Sequence, residues 1–194
     1  MTKIAIVKYN AGNIQSVQFA LNRLGIEPLV TDNPQQLMAA EKVIFPGVGE
    51  ASTAMKFLKE RKLDKVLKNL KQPFLGICLG MQLMCRHSEE NNTDCLGIFD
   101  LNVKQFPPLK KVPHMGWNTI NHFNASLLNG IKEEAYVYFV HSFYAELGPE
   151  TICQSNYIIP FTAGLQKDNF FGFQFHPEKS GTMGATILKN FIEM

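Results

Sequence analysis

The chain has 194 residues, 45% of them hydrophobic, enough to bury one substantial core within a single domain over residues 1–194. Its 19 basic and 17 acidic side chains leave a formal charge of +2, so bulk charge gives no footprint for nucleic acid or a membrane surface. The four cysteines, Cys78, Cys85, Cys95 and Cys153, make no CxxC pair and no secreted framework, which argues against both a bound metal and structural disulfides.

An apolar run of β type opens the chain, Lys3 to Lys8. Its Ile4 to Val7 core is too short for a secretory signal, and no later stretch approaches the about 20 apolar residues of a membrane span, so a cytoplasmic protein is expected. A helical pattern from about Asn13 to Leu24 stops at Gly25, Pro28 to Val30 reads as a second strand, and "DNP" opens a second helix. Strand Lys42 to Phe45, one or two helices over 51–70 and strand Phe74 to Ile77 continue the alternation. The lysines of Lys56 to Gln72 alternate with Leu58, Leu63, Val66, Leu67 and Leu70, the pattern of a solvated helix face. Such βα alternation predicts a parallel sheet with helices on both faces and functional loops at the carboxyl ends of its strands.

Beyond about residue 96 the pattern becomes successive β-type runs: 101–106, 136–147, 151–157, 161–166 and 170–175, with "KDN" as a hairpin turn and a final helix over about Gly181 to Ile192. The two halves are expected to share one mixed sheet. The fold class is α/β, three layers built on a mostly parallel central sheet with an antiparallel extension in the C-terminal half.

"GICLG" places Cys78 on the turn between a strand and a helix, flanked by Gly76 and Gly80. This is the cysteine counterpart of a nucleophile elbow. A helix N-terminus favours thiolate, and the Leu79 N–H points where an oxyanion could form. The motif alone is equally compatible with a small buried core thiol. A base must come from elsewhere, and of His87, His114, His122, His141 and His176 the informative one lies in "FFGFQFHPEKS". Strand alternation puts Phe171, Phe173 and Phe175 on an apolar face and turns Gln174 and His176 the other way, with Pro177 ending the ladder and Glu178 close to the same face. Such a carboxylate holds the imidazole tautomer while the imidazole takes the thiol proton. In "PGVG", Gly47 and Gly49 around Val48 permit backbone that aims amides inward as a second oxyanion donor. Cys85 and His87 are read as structural, toward the end of the nucleophile's helix.

"PGVG", "GICLGMQ" and "GFQFHPEKS", in that order, resemble the class I (triad) glutamine amidotransferases. Within them, "YNAGN", "PHMGWN", "YFVHSFY" and "HPEKSG" resemble the glutaminase subunits of imidazole glycerol phosphate synthase, over essentially the whole chain. The resemblance implies the class I amidotransferase fold, with Cys78 as nucleophile, His176 as general acid and base, and Glu178 as the orienting carboxylate. It implies an oxyanion hole from Val48, Gly49 and Leu79, and L-glutamine held by Gly49, Gln82, Glu90, His141, Ser142 and Phe143. It further implies ammonia transfer to a (β/α)8 barrel cyclase partner in a heterodimer, with Asn13, Trp117, Tyr138 and Lys179 near the interface. No cofactor or metal is implied. Lys8, where the family often has an acidic residue, and "CRHSEE" depart from its pattern. Because the Gly47 to Gly49 loop could flip a peptide plane at little cost, the chain alone is expected to be nearly inactive until a partner sets the oxyanion hole. Another cysteine hydrolase, peptidase-like, and a noncatalytic regulatory subunit are the alternatives.

Overall fold

A computed structural model describes residues 3–10, 12–121 and 125–194; Ala11 of "YNAGN" and His122 lie outside the described residues. The first half alternates as β1 (Ile4–Val7), α1 (Ile14–Arg23), β2 (Leu29–Thr31), α2 (Pro34–Ala39), β3 (Lys42–Phe45), α3 (Ala51–Glu60), α4 (Leu63–Lys68), β4 (Phe74–Ile77) and α5 (Leu79–Met84). The start of α2 follows from its cap: Asn33 Oδ1 accepts from the N–H groups of Gln35 at 2.9 Å and Gln36 at 3.1 Å, with Pro34 preset for the first turn. The second half runs β5 (His87–Ser88), β6 (Thr93–Asp94), β7 (Asn102–Gln105), β8 (His114–Ile120), β9 (Ala135–His141), β10 (Phe143–Ala145), β11 (Thr151–Tyr157), β12 (Ile159–Lys167) and β13 (Phe170–Phe173), and closes with α6 (Gly181–Glu193).

The central sheet has the order β11-β12-β13-β4-β3-β1-β2, parallel from β13 to β2 and antiparallel through β11 and β12. Its middle strands are buried on both faces, so their side chains divide between two cores. Ile4, Ile6, Ile44, Leu75 and Ile77 join one core with Phe171, Phe173 and Phe175; Ala5, Val7, Val43, Phe45 and Phe74 join the other. That double burial is why these strands read as short unbroken apolar runs. No helix among the described residues is long and apolar enough to cross a membrane.

One expectation is corrected. Only β11, β12 and β13 extend the parallel half; β10-β7-β5-β6 form a separate four-stranded sheet, and β8-β9 an antiparallel ribbon. The run 136–147 is not one strand because Ser142 separates β9 from β10, which pairs with β7 instead of β8. The geometry that matters for chemistry is set by three neighbours in the central sheet. The carboxyl ends of β3, β4 and β13 lie side by side, bringing the Pro46–Gly49 loop, Cys78 and the segment after Phe173 to one rim.

Candidate active site

Cys78 follows the last residue of β4 and has φ 53° and ψ −110°, a conformation that side chains rarely adopt and that reverses the chain into α5. The Cys78 N–H donates to Phe173 O at 2.7 Å, tying the turn to β13. A glycine is required at position 80, where a Cβ would lie 1.8 Å from the carbonyl oxygen of Phe45. Burial pushes the thiols of Cys85 and Cys153 well above the ordinary range and that of Cys95 to about 12. Cys85 lies just beyond α5 and His87 lies on β5, paired with Asp94 at 3.1 Å, so the two do not share a helix as the sequence suggested.

The side chains of His176 and Glu178 are fully buried, with His176 Nδ1 2.7 Å from Glu178 Oε1. Nδ1 therefore carries the proton and donates it, while the buried Nε2 has no hydrogen-bond partner among the described residues. The expected strand-end placement is corrected: β13 stops at Phe173, His176 lies beyond it with its N–H on Tyr138 O at 2.9 Å, and Glu178 sits in a 3-10 turn, Pro177–Lys179. The chain leaves the ladder before Pro177, so the turn, not strand alternation, brings the carboxylate to the ring. Burial lowers the pKa of His176, but the Cys78 sulfur and the Glu178 carboxylate outweigh it and raise the group to about 10. The side chain of Asn13 also donates to Glu178 Oε1, so that one oxygen receives two donors.

The expected oxyanion donors are arranged differently. The Leu79 N–H already donates to Gly47 O at 3.3 Å. In a trans peptide the carbonyl and the next N–H point in opposite directions, so the Val48 N–H is turned away from Leu79. Val48 O in turn accepts from the Gly12 N–H at 3.3 Å, and Gly49 has φ 130°. The hole from Val48, Gly49 and Leu79 is thus closed in this structure, because the Gly47 carbonyl occupies the donor that an oxyanion would use. The loop is braced from below by Tyr9, whose buried hydroxyl donates to Pro46 O at 2.6 Å.

A cavity of about 340 Å³ opens on Cys78. One wall is Val48, Gly49, Leu79, Gln82 and Glu90; the other is Pro113, Val140, His141, Ser142 and Phe143. The size is in the range that holds a small molecule. Burial raises the Glu90 carboxyl, while a bond from the Ala51 N–H to Oε2 at 2.7 Å works against it. His141 is locked by a chain of polar contacts: its Nδ1–H donates to Phe143 O at 2.7 Å, its Nε2 accepts from His114 Nδ1 at 3.0 Å, and Asn118 donates to His114 Nε2 at 3.3 Å. Burial lowers His114 to about 4 and His141 to about 3, so both rings are neutral acceptor–donor links. Among the described residues no group of three or more His, Cys, Asp or Glu is gathered as for a metal ion.

Residues 5–194 match the family model for glutamine amidotransferase class-I. The chain belongs to the class I glutamine amidotransferases. It is 58% identical to the imidazole glycerol phosphate synthase subunit HisH of Bacteroides thetaiotaomicron, over 99% of this chain and 100% of that one. It is 48% identical to the subunit of the same name from Escherichia coli K12, over 98% and 99%. Among solved structures, a glutamine amidotransferase superposes with a TM-score of 0.75 at 18% identity, covering 97% of each chain. PurLQS from Thermotoga maritima does so with 0.71 at 17% identity, covering 99% of this chain and 98% of that one. These two carry the fold alone.

In this amidotransferase, of the four residues expected at a partner interface, Asn13 donates to Glu178 and the other three lie on neighbouring segments. Trp117 and Tyr138 pair across β8 and β9, their rings 6.1 Å apart, and Lys179 is exposed in the turn that carries Glu178. Asn13 reaches inward, so it touches the triad as well as the surface. Sequence reasoning left Tyr9, Pro113, His114 and Val140 without chemical roles. "YNAGN", "PHMGWN" and "YFVHSFY" were the signals that contained them, but nothing in these stretches says what their residues touch.

Proposed function

We propose that this amidotransferase hydrolyses L-glutamine to glutamate and ammonia and passes the ammonia to a (β/α)8 barrel cyclase, the two chains together forming imidazole glycerol phosphate synthase in the cytoplasm. The observation that carries the chemistry is the buried His176–Glu178 pair, electrostatically coupled to Cys78, with Cys78 and Glu90 lining one cavity. The sulfur of Cys78 attacks the side-chain amide carbon, and the carbonyl oxygen becomes an oxyanion. His176, protonated at its raised pKa, gives its proton to the departing nitrogen, and ammonia leaves a thioester. Water, deprotonated by His176, then attacks the thioester, releasing glutamate and the thiol. In this reading Glu90 answers the substrate's ammonium, and Gly49, Gln82 and the 141–143 segment, which line the same cavity, hold the rest.

The closed loop gives the reading a regulatory side. Turning over the Gly47–Val48 peptide would free the Leu79 N–H and aim the Val48 N–H inward, creating two donors at once. The surface beside the triad supports docking of a partner that could drive this: Met115, Trp117 and Tyr136 are 63%, 55% and 62% exposed on one face of the β8-β9 ribbon. The test is to copurify the chain with a barrel cyclase and measure glutaminase with and without the cyclase substrate. The reading expects activation on assembly and its loss in Cys78→Ala; glutaminase turnover surviving Cys78→Ala would overturn it.

A further inference from the structure

Gln174 is fully buried and lies abreast of the reactive sulfur. β13 and β4 run parallel with Phe173 opposite Ile77, and the Cys78 N–H is bonded to Phe173 O at 2.7 Å, so the next residue on each chain, Gln174 and Cys78, must be neighbours. The backbone of Gln174 is itself held, its N–H donating to Ala163 O at 2.9 Å.

The direction of its amide follows from its partners. Phe143 offers a carbonyl oxygen, which only accepts, so the Gln82 atom 2.9 Å away is the nitrogen. That nitrogen also lies 3.0 Å from the end of Gln174, which must present its acceptor, Oε1. Nε2 of Gln174 is then directed at Cys78 Sγ, 3.6 Å away, and no other acceptor takes it among the described residues.

We infer that Gln174 is a positioning residue that donates a hydrogen bond to the sulfur of Cys78 and favours its thiolate form, held in that orientation by Gln82 from the substrate cavity. A hydrogen bond to a neutral thiol is weak, whereas one to a thiolate is charge-assisted, so a fixed donor at the sulfur stabilises the charged form selectively. Gln174 is fully buried, with no solvent access to its amide, so its donor is not simply exchanged for water. Gln82 therefore faces two ways, its Nε2 committed to Phe143 O and Gln174 Oε1 while the residue lines the cavity. The inference rests on the reading of Cys78 as nucleophile.

The test is the rate of alkylation of Cys78 in the full chain by iodoacetamide, followed by peptide mass spectrometry across the acid range. Gln174→Met removes the donor at similar volume and should move the acid limb up by about one pH unit, a tenfold loss of thiolate on that limb, with the high-pH plateau preserved. Gln174→Glu keeps an acceptor for Gln82 but sets a carboxylate against the sulfur, and should move the limb further in the same direction. The new carboxylate repels a thiolate whatever the native amide does, so Gln174→Glu reports only that position 174 faces the sulfur, and the Gln174→Met limb decides the donor role. An acid limb in Gln174→Met that coincides with wild type overturns the inference while leaving the nucleophile intact. A wild-type chain whose Cys78 resists alkylation at every pH refutes the nucleophile reading itself, and this inference with it.

Discussion

Replacing Glu178 by Gln removes the charge behind His176 and leaves the shape unchanged. In a triad the danger of such a change is that the amide turns its NH2 to the imidazole and forces the wrong tautomer, which costs about 10⁴-fold. Here the geometry opposes that. Glu178 Oε1 is met both by His176 Nδ1, at 2.7 Å, and by the side-chain nitrogen of Asn13. Two donors converging on one position hold the oxygen of a glutamine there. What remains is the difference between a charge-assisted and a neutral hydrogen bond, about 1–2 kcal/mol, or about 5–30-fold in rate. The assay is glutaminase kcat in the assembled complex for Glu178→Gln, Asn13→Ala and the double variant. The double variant is expected to fall by far more than the product of the single effects, because the amide is then free to turn. A loss near 10⁴-fold in Glu178→Gln alone would refute the argument that Asn13 fixes this oxygen.

Three other outcomes follow from the same geometry. His176, raised from 6.5 to about 10, contributes stability that is complete below about 6.5 and disappears as pH rises through about 10, whereas His114 and His141, lowered to about 4 and about 3, contribute stability present above about 6.5 and lost as pH falls towards those values. Urea denaturation should therefore show a maximum near neutral pH, with the alkaline decline flattened in Cys78→Ser; a flat profile in wild type contradicts the assigned states. Gly80→Ala places a Cβ 1.8 Å from backbone oxygen and should cost about 3 kcal/mol or more, about 6–12 °C in Tm, with glutaminase lost; an unchanged melt and rate would mean that the elbow is not so tightly held. With Leu79 N–H bonded to Gly47 O, the chain alone should hydrolyse glutamine far more slowly than the complex, and full turnover without a partner would show that the closed loop is not the resting state.

The parallel half of the fold was legible because its strands are short, apolar on both faces and punctuated by Gly, Pro and caps; β3 and β4 fall where the sequence put them. β8 was not legible. Its outer face carries Met115 and Trp117 exposed, its inner face His114 buried, and Gly116 lies between, so neither polarity nor propensity marks a strand. In the site, residue types and order pointed to Cys78, His176 and Glu178, since reaction chemistry limits which side chains can serve. The contacts of Asn13 with Glu178 and of Gln174 with Cys78 join distant parts of the chain and have no local signature. The orientation of the Gly47–Val48 peptide is likewise invisible in composition, because "PGVG" permits both orientations at similar cost.

An alkylating glutamine analogue tests most directly whether Cys78 attacks glutamine with His176 and Glu178 behind it. The assembled complex is treated with the analogue and the adduct is located by peptide mass spectrometry. One adduct is expected, on Cys78, blocked by excess glutamine and absent in Cys78→Ala. An unlabelled Cys78 in a complex that still turns over glutamine, or an inactivating adduct on another residue, would contradict this role of Cys78.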